Sequence, residues 1–499
     1  MLKVRGLWCG ADDAGRTPES VHAFVAHVAG AGFNLILPNL KQGHGRLCWP
    51  SKLFPDRVAD GYQDFDLPRH LIEACRQHKV EVHAWFIDFM DGKDHPREEW
   101  AMRDRNGDPT DNEVLRGKRF NARWMCPAQR PGYTDQWLVP MYREFAETYE
   151  FDAVHHDYVR YPGDLAPDQY CFCDDCLESI PKWAGYVTRA FPDRAFTHPT
   201  FDREYLESHW EPNPRVLPGD WGSMSRQEKS AFLLEEGFFE GGRKDLDLFF
   251  YEYRTHWITE FNRECAQAVR AARPGMKVSS AVFKNPIHSG RFIGQDWRQH
   301  APYVDAAMPM NYRDHFPGSF DDYLAMLAET IEDQKVWARD FKEYYPGAAI
   351  NFLFWEEELP LKALAISAEL GDRTNATVFF GQVASHIAEC DRALHDQVAK
   401  WIGFGGAGDL RDAQRYVSHK RDQFFAVPAS GTPPHFAAEL RVFADSPPKS
   451  YWPKQKLERL VETIERSGVD GMVLFCEGHL HQYGLWETAK GLFAGARTG

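Results

Sequence analysis

The chain has 499 residues, 43% hydrophobic and 14% aromatic, enough for a substantial core in one large domain with insertions or in two to three ordinary ones. Its 58 basic and 73 acidic residues give a formal net charge of −15, which disfavours nucleic acid and anionic membranes as partners. No apolar run approaches the roughly 18 residues that span a bilayer, and the N-terminus reads as a strand without a signal-type apolar core. A cytoplasmic location is therefore expected, with an exported form that has lost its signal as the alternative.

In chain order, short β-type runs alternate with amphipathic helical ones. KVRGLWCG (3–10) precedes a helical SVHAFVAHVAGAG, and FNLILPNL (33–40) precedes a helical LPRHLIEACRQHK. VEVHAWFIDF (80–89) is followed by DQWLVPMYREFAETYE and then FDAVHHDYVRYP (151–162). A long helix near 245–272 leads to KVSSAVF (277–283) and VDAAMPMNY (304–312). AELRVFAD (438–445), a helical KQKLERLVETIERSG and VDGMVLFCEG (469–478) close the series. Eight strands alternating with helices predict an α/β fold, a (β/α)8 TIM barrel filling 1–499 as one domain. Long insertions are expected after strand four (163–244, polar, Pro-rich and Cys-bearing) and after strand six (313–435, an irregular extension). Within the second, AAINFLFW and ATVFFGQV compete with AELRVFAD for the place of strand seven.

Barrel chemistry sits at the C-terminal ends of the strands. There the sequence places Asp12 and Asp13, Asn39 and Lys41, then His83, Trp85 and Asp88. It continues with His155, Asp157, Tyr158 and Arg160, then Asn311 and Tyr312, Asp445, and finally Glu477 and His479. Trp8 on the first strand is a further candidate for substrate contact. Convergence of so many polar groups on one rim suits glycoside hydrolysis, in which one carboxylate stays ionised and a second carboxyl, with raised pKa, protonates the leaving oxygen. Asp157 is the candidate for the ionised member, because Arg160 lies three residues on and a nearby cation favours the charged form. His83, His155 and Tyr158 would bond sugar hydroxyls or orient that carboxylate. The structural alternative is an Asp157–Arg160 ion pair that fastens the loop. Glu477, Asp88 and Asp445 compete for the acid; Glu477, behind the apolar run VLFC, is preferred.

YCFCDDCLES supplies Cys171, Cys173 and Cys176, and Cys126 in RWMCPAQ is a natural fourth ligand for a tetrahedral Zn²⁺. Such a closed four-thiolate site would be structural, so catalysis itself calls for no cofactor. GFGGAG (403–408) follows a helical stretch, not a strand, and so lacks the context of a dinucleotide loop. HLH (479–481) with His83 and His155 leaves a catalytic metal, as in a polysaccharide deacetylase, as one competing expectation. A non-catalytic carbohydrate-binding barrel is another.

RGLW, EVHAWF, FDAVHHDYVRYP, GQDWRQHAPYVDAAMPMNY (294–312) and VDGMVLFCEGHLHQYGLWE (469–487) together resemble the glycosyl-hydrolase-like family 10 proteins. The resemblance implies a bacterial-type TIM-barrel glycosidase, some relatives acting on peptidoglycan strands. It implies a functional role for Asp157 in D-Y-V-R-Y-P and, more loosely, rim roles for Trp85, Gln295, Asp296, Asn311 and Tyr312. Cys126 with C-x-C-x-x-C is similar to the zinc cluster of family 42 β-galactosidases.

Overall fold

Side chains alternate across a strand, so a strand covered on both faces must be apolar in both sets of positions. The strands of this chain meet that demand. The computed structural model describes residues 2–109, 122–162, 171–180, 217–233, 244–316, 320–354 and 453–494. Strands β1 (Val4–Gly10), β2 (Leu35–Lys41), β3 (Glu81–Ile87), β4 (Ala153–Asp157), β5 (Lys277–Phe283), β6 (Ala306–Met310), β7 (Gly347–Ala349) and β8 (Gly471–Phe475) pair parallel in that order. The ring closes where Trp8 of β1 lies opposite Phe475 of β8. This is the (β/α)8 barrel expected from the alternation.

The strands are followed in turn by helices α1 (Pro18–Gly30), α2 (Leu67–His78), α3 (Val139–Thr148), α4 (Lys244–Ala272), α5 (Pro286–Ile293), α6 (Phe320–Ala338), α7 (Pro453–Arg466) and α8 (Trp486–Phe493). Local chemistry starts several of them. Thr17 and Ser20 form a reciprocal capping box at α1, while Asp66 and Asn285 cap α2 and α5. Outward strand residues such as Leu7, Ile36, Phe86 and Val154 share one core with Val21, Leu71, Phe145 and Phe261 of the helices. Inward residues build a second, smaller core from Trp8, Leu35, Leu37, Trp85, Ala281, Ala306, Met308 and Val473. Gly347 makes room for it: a Cβ there would fall 2.9 Å from the Trp8 ring and 3.0 Å from the carbonyl oxygen of Pro309.

Strand seven differs from expectation. The barrel is closed by Gly347–Ala349, preceded by a two-residue pairing of Glu343–Tyr344 with β6. AELRVFAD (438–445) therefore does not supply the closing strand; it lies, with ATVFFGQV and GFGGAG, outside the described residues. AAINFLFW overlaps β7 only at its first two residues. The segment 313–435 holds α6 and β7, so the long stretch follows strand seven, not strand six. The cause is local: Pro346 lacks a ladder donor and Gly347 lacks a side chain, so EYYPGAA carries a weak strand signal. Among the described residues no helix is long and apolar enough to cross a membrane.

Candidate active site

Alternation along β4 turns Ala153, His155 and Asp157 inward, which brings Asp157 to the C-terminal mouth of the barrel. Its carboxylate accepts from Trp85 Nε1 at 3.1 Å and from the Tyr158 amide at 2.7 Å. Burial pushes Asp157 up to about 6, although these donors and the Arg160 charge pull the other way. Tyr158 turns the chain there with φ 54, the left-handed region that ordinarily favours glycine. That turn points its amide back at Asp157 and sets its ring 5.6 Å from Trp124, which sits in a small antiparallel pairing of Met90–Asp91 with Arg123–Trp124.

The Asp157–Arg160 ion pair that stood as the structural alternative does not form: among the described residues no carboxylate lies within 4.0 Å of Arg160. Its guanidinium instead packs 5.1, 4.6 and 4.7 Å from the ring centres of Trp124, Tyr158 and Phe283. Aromatic contacts continue around the mouth. Phe283 stacks on His315, His315 on Tyr312 and Tyr312 on Phe475, at 6.0, 5.7 and 5.8 Å, and Phe475 meets Trp85 edge-on at 6.2 Å. Asn39, half-buried at the end of β2, donates to the Lys41 carbonyl at 3.2 Å beside these rings.

On the β8 side, Glu477 opens a short helix, Glu477–Gln482, and its carboxyl meets that of Asp13 from the end of β1. Asp13 is itself held by the Gly10 amide at 2.6 Å. Burial, then the neighbouring Asp13 charge, push Glu477 up to about 7. Both effects favour the protonated form, which suits Glu477 to act as an acid near neutrality. Sequence reasoning placed Asp13 at a strand end but could not pair it, because its partner comes from the far end of the chain. His479 packs 5.8 Å from Phe475 and 3.3 Å from Cys476 Sγ through Nδ1.

Other candidates have partners of their own within the fold. Lys41 turns away from the mouth; burial lowers it to about 8, and its ammonium bonds the carbonyl of Met90 at 2.8 Å and that of Ile87. Asp88 lies outside the barrel wall, accepting from Tyr142 at 2.7 Å and sitting 2.9 Å from His156 Nδ1. Asn311 exchanges two amide hydrogen bonds with Gln334 of α6. Gln295 accepts from the Phe283 amide, and Asp296 caps the short helix Trp297–His300. Trp8, His83 and His155 are 2%, 1% and 0% exposed in the lumen. Asp445 lies outside the described residues.

Cys126, Cys171, Cys173 and Cys176 come together, all buried, with every pair of sulfurs within 4.8 Å. Cys126 Sγ lies 3.5 Å from that of Cys176 and 3.8 Å from that of Cys173. Tetrahedral ligation at ~2.3 Å per thiolate needs sulfurs ~3.8 Å apart, so the four can bind a metal ion. Among the described residues this is the one group of His, Cys, Asp or Glu close enough to do so. His83 and His155 do not converge with His479: both instead lie 2.9 Å from Ser279 Oγ inside the barrel.

Comparison with known proteins finds a family model described as a "putative glycosyl hydrolase domain" matching residues 6–334. No curated protein matches. Among solved structures, the PgaB (BpsB) glycoside hydrolase domain from Bordetella bronchiseptica aligns at 12% identity and TM-score 0.47, covering 69% of this chain and 84% of that one. An alpha-L-fucosidase isoenzyme 2 from Paenibacillus thiaminolyticus aligns at 15% identity and TM-score 0.41, covering 84% and 50%. The catalytic domain of a beta-amylase from Paenibacillus polymyxa aligns at 10% identity and TM-score 0.41, covering 99% and 98%.

Proposed function

The chain belongs to this glycosyl hydrolase domain family, and from that premise we propose a retaining glycosidase in which Asp157 is the nucleophile and Glu477 the acid/base. The observation that carries the assignment is the contrast between the two carboxyls. Asp157 is met by two obligate donors, the Trp85 indole and the Tyr158 amide, which suit an ionised carboxylate. Glu477 is met by a carboxyl, which suits a protonated one.

In the first step an Asp157 oxygen attacks the anomeric carbon while Glu477 gives its proton to the departing glycosidic oxygen. The products are a glycosyl ester on Asp157 and a Glu477 carboxylate. In the second step that carboxylate takes a proton from water, the water oxygen displaces Asp157, and both groups return to their starting states. The aromatic circuit from Trp124 to Trp85 supplies apolar faces for the sugar rings on an oligo- or polysaccharide. A panel of aryl glycosides and polysaccharides tests the assignment on wild type beside Asp157→Asn. Loss of turnover in the variant, a glycosyl azide formed when azide is added, and a first-formed sugar of retained anomeric configuration are expected. Undiminished turnover by Asp157→Asn would sink it.

The four-cysteine group is assigned to structural Zn²⁺, which would tie the segment after β4 to the short strand carrying Trp124. Elemental analysis should find one zinc per chain in wild type and none in Cys126→Ser. Turnover per folded molecule in that variant should persist, because no reacting group is a ligand.

A further inference from the structure

Arg160 is 4% exposed, and such a buried cation ordinarily has an ion pair or a full set of acceptors. Another buried arginine follows that rule: Arg57 pairs with Asp91. Arg160 departs from it. Among the described residues its guanidinium makes one hydrogen bond, from Nη1 to the Tyr161 carbonyl at 3.3 Å, and its buried Nε–H meets no acceptor. Three aromatic rings surround the group, within 5.1 Å of its central carbon. Such rings offset part of the charge but accept none of the remaining N–H groups in their plane.

The location gives this unmet demand a use. Arg160 lies three residues beyond Asp157, at the β4 to β5 side of the mouth, and Phe283 beside it belongs to the ring circuit that faces the sugar. With rings around the guanidinium, the direction left for a partner is in the plane of its fork. A flat carboxylate matches that fork with two parallel hydrogen bonds, whereas an ammonium or neutral hydroxyl does not.

We propose that Arg160 is a specificity-determining residue that receives the carboxylate of a uronic acid, so that the sugar bound against Asp157 is anionic. The assignment rests on the glycosidase function proposed above and names its substrate class. It also accounts for a pull on Asp157 from a cation that forms no ion pair with it: the charge is kept for the substrate.

The test uses aryl glycosides matched at C6, glucoside with glucuronide and galactoside with galacturonide, in both anomers, together with a glucoside 6-sulfate. For wild type, kcat/KM of a uronide should exceed that of its neutral partner by about 10- to 100-fold, the range of a charge-assisted pair. Arg160→Met should bring that ratio close to one, and Arg160→Lys, which keeps charge without the fork, should fall between. Thermal midpoints identify any variant that has not folded. A second arm titrates glucuronate and galacturonate, with glucose and galactose as controls, into Asp157→Asn by calorimetry; only the acids should bind, and Asp157→Asn with Arg160→Met should bind neither. Equal use of neutral and anionic sugars, a ratio untouched by Arg160→Met, or sulfate favoured over carboxylate would each overturn the proposal. Hydrolysis without C6 preference removes the Arg160 assignment and keeps the glycosidase. Selective binding of the acids without hydrolysis of any glycoside does the reverse.

Discussion

Two regions of the same barrel, supplied by the same strands, treat polar residues in opposite ways. In the lumen, Trp8 Nε1 donates to His155 Nε2 at 3.2 Å, and His155 and Ser279 are joined at 2.9 Å. Ser279 and His83 Nδ1 are joined at 2.9 Å, and His83 Nε2 reaches Glu81 at 2.9 Å. Glu81 in turn pairs with Lys277 at the lower rim. The carboxylate at one end requires His83 to carry its proton on Nε2, and the indole at the other requires His155 to carry its own on Nδ1. A serine between them then accepts from one ring and donates to the other. Every group in this column has a partner, and burial keeps His155 neutral by holding its pKa well below the usual histidine range.

At the mouth, Asp157 two residues beyond His155, Arg160 after the same strand and Glu477 beyond β8 are less fully compensated. Both acids are raised, and the arginine has one hydrogen bond. Polarity at a strand end is thus a poor guide to function on its own. What separates a scaffold residue from a reactive one is whether the fold has already satisfied it.

The largest effect that would break this contrast comes from Asp157→Asn. Activity should fall by at least ~10³-fold, as expected when a covalent nucleophile is removed. The same variant should be no less stable above neutral pH. Because the folded carboxyl binds its proton more tightly than the unfolded one, wild-type stability falls as pH rises from about 4 through about 6. Asp157→Asn escapes that penalty. Its thermal midpoint should therefore exceed that of wild type at pH 8, by up to about 3 kcal/mol of stability, and match it at pH 4. A midpoint lower than wild type at pH 8 would place Asp157 with the satisfied lumen groups.

Glu477→Gln should lower kcat/KM by ~10²-fold or more for glycosides with poor leaving groups and far less for activated aryl glycosides. A loss independent of the leaving group would remove Glu477 from the acid role. In wild type, Asp157 must be ionised and Glu477 protonated, so kcat/KM should form a narrow bell with limbs near pH 6 and 7. Glu477→Gln should erase the alkaline limb. The smallest effect on turnover should come from the lumen. His155→Ala leaves the Trp8 indole and the Ser279 hydroxyl without their partner, which costs roughly 2–4 kcal/mol of stability. Urea unfolding should show that loss, with kcat of the folded protein changed much less than in either mouth variant.

The barrel and the place of Asp157 were legible because both follow from local rules. Strand and helix periods alternate along the chain, and period-two alternation puts His155 and Asp157 on one face. The four-cysteine group was legible because three of the four lie within six residues. Strand seven was not, since three residues after a proline pair well only when neighbours on both sides are in position. Nor could the sequence sort Lys41, Asp88, Asn311 and Gln295 from the mouth residues, because carbonyls, a tyrosine and an amide from other segments satisfy them.

The amino-acid order by itself thus determined which residues stand at strand ends and which face of each strand they share. Only the closed barrel decided which of those residues are already paired, which carboxyl touches another carboxyl, and which cation is left waiting. Hydrogen bonding and desolvation depend on neighbours in space, and at the mouth of a barrel those neighbours come from both ends of the chain.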